Sequence, residues 1–271
     1  MKKTILVTGG TGFIGSHTTV ELQAAGYEVV IIDNLSNSKA EVVEGIEKIS
    51  GVRPAFEQVD CCNLPALEGV FQKYPGIEGI IHFAASKAVG ESVEQPLKYY
   101  ENNLLSLINL LKLMPKYNVK GIIFSSSCTV YGQPDAKDLP VSEQAPIKKA
   151  ESPYGNTKQV NEEIIQDFIH SGAPISAIIL RYFNPIGADP AMRSGLQDPK
   201  PTHALGKMIE AYQNQGVFTV TGIDWPTRDG SGLRDYVHVW DLARAHVAAL
   251  QNFDKIIASS AIDGFDIINL G

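Results

Sequence analysis

A doubly wound parallel α/β sheet of the Rossmann type is the fold this sequence predicts, on three observations. Short β-branched runs alternate with helical patterns through the first two thirds of the chain. Those runs are apolar without polar alternation, and the first of them ends in a glycine-rich turn that opens a helix. Unalternating apolar strands separated by helices belong to a parallel sheet covered on both faces. Ligands of such sheets bind beyond the carboxyl ends of the strands, so the residue types found there carry the functional reading.

The first strand is Thr4–Thr8. Gly10, Gly12 and Gly15 satisfy G-x-G-x-x-G, while Gly9, Gly12 and Gly15 satisfy the overlapping T-G-x-x-G-x-x-G, and a helix follows over Phe13–Ala25. Glycines there permit a tight turn and let the backbone approach a pyrophosphate, which the helix N-terminus favours electrostatically. Taken alone, such a turn can be structural. Here the second strand, Glu28–Asp33, ends in a carboxylate 18 positions after Gly15. At about that spacing (~20 residues) a carboxylate hydrogen-bonds a ribose 2′-hydroxyl and repels a 2′-phosphate, so the site is expected to take NAD in preference to NADP.

The alternation continues with a helix over Ser38–Ser50, a strand over Pro54–Val59 and a helix over Asn63–Tyr74. The strand Gly79–Phe83 and the helix Gln95–Tyr117 come next, followed by the strand Gly121–Ser125, the helix Pro153–His170 and the strand Ile175–Arg181. From Asn184 to Gly232 prolines and glycines are frequent. Asn184-Pro185, Asp189-Pro190, Asp198-Pro199 and Trp225-Pro226 act as breakers. Only a helix over His203–Asn214 and a strand over Val217–Gly222 are expected there. Tyr236–Val239, a helix over Asp241–Asn252 and the run Phe265–Leu270 return to the α/β rhythm. This gives an NAD-binding domain over residues 1–181 and a smaller, loop-rich substrate region over 182–271, with 236–271 packing back towards the first domain.

Composition narrows the partners. The 271 residues are 44% hydrophobic and 20% charged, with a formal net charge of −7. That balance offers no basic footprint for nucleic acid or an anionic membrane, so an anionic substrate must meet local cations. Cys61, Cys62 and Cys128 suit a reducing compartment, and no apolar run is long enough for a signal peptide or membrane span. A cytoplasmic location is the expectation. The histidines show no H-E-x-x-H spacing and the cysteines no zinc spacing, so no metal site is expected. No G-x-S-x-G elbow is present, which argues against serine-hydrolase chemistry.

Ser152-Pro153-Tyr154-Gly155-Asn156-Thr157-Lys158 contains Y-x-x-x-K behind a good N-cap and a proline suited to the first helical position. Tyr154 and Lys158 then share one helix face a turn apart. An ammonium beside a phenol lowers the phenol's pKa and makes it a general base or acid for a sugar or alcohol hydroxyl. An exposed amphipathic helix explains the spacing equally well; the strand end before it adds weight. Gly121–Phe124 leads into Ser125-Ser126-Ser127-Cys128-Thr129-Val130-Tyr131-Gly132, where a serine can hydrogen-bond the reacting hydroxyl. At Ile81-His82-Phe83-Ala84-Ala85 small residues let a cofactor lie close, and Lys87 can reach its phosphates or ribose. His82 reads as a packed residue, and His238 and His246 as structural.

Together T-G-G-T-G-F-I-G, F-A-A-S-K-A-V-G-E-S, S-S-S-C-T-V-Y-G, S-P-Y-G-N-T-K, R-Y-F-N-P-I-G and R-D-Y-V-H-V-W-D-L-A resemble the extended short-chain dehydrogenases/reductases, and within them the nucleotide-sugar epimerases. Related dehydratases place an Asp-Glu pair before V-Y-G; Cys128-Thr129 stands there instead, without groups for water elimination. The resemblance implies tightly held NAD and a UDP-sugar substrate, UDP-glucose or UDP-galactose, epimerised at C4. It implies cofactor contacts at Gly9, Gly12, Phe13, Ile14, Gly15, Asp33, Asn34, Asp60, Cys61, Phe83, Ala84, Lys87, Asn102, Ser125, Tyr154, Lys158 and Tyr182.

It further implies a catalytic trio of Ser127, Tyr154 and Lys158. Substrate contacts are implied at Lys87, Ser127, Tyr154, Asn184 and Arg234, the arginine being directed to the diphosphate. An ion pair between Arg234 and Asp235 is the plainer reading of that arginine. A homodimer is implied through a helical face. The chain departs from the family at Pro201-Thr202-His203-Ala204-Leu205, where Pro-Asn-Asn-Leu is usual, and at Thr221, where an aromatic residue is common. Relatives continue beyond the equivalent of Gly271, so the sequence reads as a fragment. The rival readings are an epimerase or reductase for another nucleotide sugar and a non-catalytic or truncated NAD-binding protein. Intact Ser127, Tyr154 and Lys158 argue against the latter.

Overall fold

Seven strands build the central sheet in the order β3-β2-β1-β4-β5-β6-β9. They are β1 (Thr4–Thr8), β2 (Glu28–Asp33), β3 (Ala55–Gln58), β4 (Ile77–His82), β5 (Gly121–Ser127), β6 (Ser176–Tyr182) and β9 (Phe265–Leu270). Every neighbouring pair is parallel. The computed structural model describes residues 2–198, 201, 203–220 and 222–271. Pro199, Thr202 and Thr221, named above in a breaker and two departures from the family, lie outside the described residues.

Alternate residues of each strand feed two separate cores, as the pleat dictates. Leu6, Val30, Ile32, Ile80, Ile122, Phe124 and Ile179 face one side. There α3 (Leu64–Lys73), α5 (Pro96–Lys116) and α6 (Pro153–His170) supply Leu67, Leu107, Leu110 and Ile165. Ile5, Val7, Ile31, Ile81, Ile123 and Ile178 face the other. They meet α1 (Phe13–Ala24), α2 (Glu41–Ser50) and α8 (Val239–Gln251) through Val20, Leu22, Ile46 and Leu242. Burying each such side chain stabilises the fold by about 1.5–3 kcal/mol before chain entropy is subtracted. Strand order reverses between β1 and β4, and this switch point opens a crevice at the carboxyl edge.

The local signals act as expected at α6: Ser152 accepts the Gly155 N–H at 3.1 Å and Pro153 takes the first helical position. α1 differs, because its N-cap is Gly12 and no side chain caps it. β9 extends the sheet beside β6, and α8 packs on α1.

Four local differences from the sequence reading have physical causes. Val217–Val220 and Gly222 form no strand; Val217 is 89% exposed and no neighbouring strand pairs with it, and β-propensity without a partner is weak. Instead β7 (Asn184–Ile186) pairs in parallel with β8 (Tyr236–His238), although Pro185 reads as a breaker. Proline is tolerated in so short a ladder because it has few donors to lose. Two short helices, α4 (Val89–Glu94) and α9 (Phe253–Ser259), carry too few turns for a periodic signal. The helix α7 (Ala204–Gln213) falls where expected, capped by His203 through Gly206 N at 3.1 Å. Among the described residues, no helix is long and apolar enough to cross a membrane.

Candidate active site

The first part of the site is the turn from β1 into α1. Gly9 has a φ of +66°, and a Cβ there would lie 2.8 Å from the Ala84 amide nitrogen. A Cβ on Gly15 would collide with the Gly9 carbonyl oxygen. The turn therefore packs backbone on backbone and leaves the Gly12-Phe13-Ile14 edge of α1 with N–H groups that no side chain satisfies. A diphosphate fits this end, matched by the helix dipole.

Asp33 closes the next strand, with its carboxylate fixed on three sides. Oδ2 accepts the Thr11 N–H at 3.3 Å, and Oδ1 accepts the Leu35 N–H at 2.9 Å and the Ser38 hydroxyl at 3.1 Å. Asn34 donates to Asp60 at 3.1 Å, and Asp60 also accepts the Cys62 N–H at 2.8 Å. Asp60 lies two residues beyond β3 rather than at its end, because that strand stops at Gln58. These groups line the β2–β3 side of the crevice as a ribose- and base-binding wall would require. The Cys61 thiol is buried in the core, where burial pushes its pKa up.

On the β4 side, the Thr8 hydroxyl accepts the Ala84 N–H at 3.1 Å and lies 2.7 Å from His82 Nδ1. His82 is 2% exposed and burial holds its pKa near 3, so the imidazole is a neutral packing group hydrogen-bonded to Thr8. Lys87 is exposed, and its charge is felt by His203 of the substrate region. Asn102, on α5, donates to Ser86 Oγ at 3.4 Å and to Asn103 Oδ1 at 3.0 Å. Phe83 packs on His246 with ring centroids 4.8 Å apart, and Tyr182 hydrogen-bonds the same imidazole. The structural role expected of His246 and the packing of 236–271 back towards the first domain thus take the form of an α8 contribution behind the crevice.

The catalytic candidates converge where β5 meets α6. β5 runs two residues further than expected, so Ser125 and Ser127 are strand residues, 9% and 8% exposed. Ser127 Oγ accepts the Thr129 N–H at 3.2 Å and the Thr129 hydroxyl at 3.0 Å, and its own hydroxyl hydrogen-bonds Tyr154. Lys158 Nζ donates to the Ser125 carbonyl at 2.6 Å and lies 4.9 Å from the Phe124 ring centroid and 5.9 Å from that of Tyr154.

Burial dominates both titrations. It pushes the Tyr154 phenol up to about 12, against the Ser127 hydrogen bond, and pulls Lys158 down to about 8, against the charge of Glu162. The sequence reading had the lysine lowering the phenol's pKa. Desolvation dominates instead: it raises the phenol and lowers the ammonium, so the two groups are driven apart in proton affinity.

Asn184 sits on β7 and donates to the Asp235 carbonyl at 2.6 Å. Arg234 is exposed, donates to the Leu233 carbonyl at 3.2 Å and forms no ion pair with Asp235. Its positive charge favours the thiolate of Cys128, next to Ser127, against the burial that raises that thiol's pKa.

The fold and this crevice define an NAD-binding α/β protein with a Ser-Tyr-Lys group. The model of the NAD dependent epimerase/dehydratase family matches residues 5–271, and the chain belongs to that family. It is 44% identical over 279 residues to UDP-glucose 4-epimerase 2 of Arabidopsis thaliana, covering 100% of this chain and 76% of that protein. It is 46% identical over 266 residues to UDP-glucose 4-epimerase of Bacillus subtilis, covering 97% and 76%. The crystal structure of UDP-glucose 4-epimerase from Bifidobacterium longum in complex with NAD+ and UDP superposes with a TM-score of 0.88 at 43% identity, covering 99% of this chain and 78% of that one.

Proposed function

We propose that this protein is an NAD-dependent UDP-glucose 4-epimerase, interconverting UDP-galactose and UDP-glucose. The observation that carries the reading is the convergence of Ser127, Tyr154 and Lys158 at the end of β5, beside a glycine turn built for a dinucleotide. Similarity to UDP-glucose 4-epimerases over nearly the whole chain supports the substrate.

Gly9, Gly12 and Gly15 would hold the diphosphate of NAD with the α1 N–H groups, and Asp33 the adenine ribose. When bound, the nicotinamide supplies a reversible hydride acceptor. Tyr154 takes the proton of the sugar 4-hydroxyl and returns one to the opposite configuration. Ser127, bonded to Tyr154, orients that hydroxyl and shares its proton. Lys158, cationic and held by the Ser125 carbonyl, stabilises the phenolate electrostatically. Arg234 meets the UDP diphosphate with charge-assisted hydrogen bonds, and Asn184 orients the sugar. Residues 182–271 shape the substrate side. The protein works in the cytoplasm as a homodimer, with no nucleic-acid or membrane partner.

A coupled assay tests the reading. UDP-galactose incubated with the protein should feed a UDP-glucose-specific dehydrogenase, while the epimerase alone leaves NAD absorbance unchanged over turnover. Stoichiometric consumption of reduced cofactor would instead assign a nucleotide-sugar reductase.

A further inference from the structure

Behind the Ser127–Tyr154–Lys158 group lies a buried polar network that takes no part in the chemistry above. Glu162 stands one helical turn after Lys158 on α6, and its carboxylate is engaged from two strands. Ser126 Oγ donates to Oε1 at 2.5 Å, while Arg181 of β6 donates through Nε to Oε1 at 3.0 Å and through Nη2 to Oε2 at 2.6 Å. Arg181 also donates to the Tyr131 hydroxyl at 2.8 Å and lies 4.8 Å from that ring's centroid; Tyr131 in turn donates to Asn269 of β9 at 2.7 Å. The side chains of Arg181 and Glu162 are only 4% and 5% exposed. A buried pair of this kind is poor evidence for stability, since an apolar pair of similar volume often does as well. Its placement points to another use.

We propose that Glu162, clamped by Arg181, is a positioning residue for the active site: its carboxylate keeps Lys158 cationic and, through Ser126, fixes the end of β5 that carries Ser127. The inference rests on the epimerase reading above. Lys158 is otherwise poorly provided with counter-charge. On α6, Tyr154 and Glu162 stand one turn before and one turn after it, and the Glu162 charge reaches it. From β5 it meets the Ser125 carbonyl and the face of Phe124. From β4 it meets His82, neutral and unable to offset a cation. On β6 the Tyr182 phenol, whose surroundings include Ser125 and Tyr154, is pushed up by burial and stays neutral.

The sign follows directly. Burial lowers the lysine's proton affinity and Glu162 raises it. Removing that carboxylate makes Lys158 lose its proton at lower pH, and with it the charge that stabilises a Tyr154 phenolate.

The test is the pH profile of kcat/KM for UDP-galactose, measured beside a direct titration of Lys158 by NMR of isotope-labelled lysine. Glu162→Gln keeps the shape but strands Arg181, so the double variant Glu162→Gln/Arg181→Met, which removes both charges, is made as well. Both variants should shift the alkaline limb and the lysine titration to lower pH, the double variant by about one unit. Glu162→Gln, if it folds, should shift further, because the bare Arg181 charge then opposes Lys158. A folded variant whose overall rate falls while the limb and the lysine titration stay at their wild-type positions would overturn the proposal and leave Glu162 a purely structural residue. If the wild-type protein fails to convert UDP-galactose, the epimerase reading falls, while the lysine titration still decides the coupling to Glu162.

Discussion

The cofactor side and the substrate side of the crevice are made of different material. From Thr4 to Tyr182, the candidate residues stand at the ends of parallel strands, in the turns just after them, or on α1, α5 and α6, beside two cores. From Asn184 to Tyr236, regular structure among the described residues is limited to the β7–β8 ladder and α7, and Met192, Tyr212, Val217 and Leu233 are 84%, 86%, 89% and 78% exposed. Orientation of a hydride donor and acceptor needs sub-ångström placement, and rigid elements supply it. Recognition of a nucleotide sugar needs reach and adjustment, which loops supply. The candidate cofactor residues are therefore held by the sheet and its helices, and the candidate substrate residues by short elements and loops.

Variants on the two sides should separate cleanly. The largest effect belongs to Tyr154→Phe, which should lose roughly 10²–10⁴-fold in kcat while NAD affinity, measured by calorimetry, stays near wild type. Near-normal turnover would remove Tyr154 from the chemistry. Next comes Arg234→Ala. Loss of charge-assisted bonds worth about 1.5–3 kcal/mol should weaken UDP binding by roughly tenfold to a hundredfold, with NAD affinity unchanged. An equal loss of both ligands would mean that the two sides are not independent.

Gly15→Ala tests the opposite half. Its Cβ would collide with the Gly9 carbonyl, so the turn must open at a cost of about 1–3 kcal/mol. That should appear as a lower Tm and weaker NAD binding. The smallest effect is expected from Asp33→Ala, which should relax the preference for NAD over NADP by about tenfold, as one charged hydrogen bond is lost. An unchanged ratio would show that Ser38, Thr11 and Leu35 already consume the carboxylate.

The same division explains what could be read from the sequence. Strands β1, β2, β4, β5, β6 and β9 announce themselves because a doubly covered parallel strand must be apolar on both faces. The glycine turn and the Asp33 carboxylate have fixed spacings within one βαβ unit. Tyr154 and Lys158 are legible for a similar reason, lying a turn apart on one helix. Long-range partners leave no such trace. Nothing local pairs Glu162 with Arg181, Tyr182 with His246, or Asn184 with Asp235, since each contact forms only when the sheet brings distant strands and helices together. A charged residue, Arg181, near the end of an otherwise apolar strand was the one available hint. The missed β7–β8 ladder and the strand expected but not formed at Val217–Val220 share a cause: pairing decides strand formation more than propensity does.

Conversion of UDP-galactose in heavy water, followed by proton NMR of the sugar, tests the central claim most directly. A hydride that leaves C4 and returns to it through NAD does not exchange with solvent, while the proton handled by Tyr154 does. UDP-glucose should therefore form with its C4 hydrogen retained and no deuterium at that carbon. Deuterium at C4 would contradict the account, because it would mean that the configuration is inverted by removing a proton from carbon rather than by passing a hydride to the cofactor.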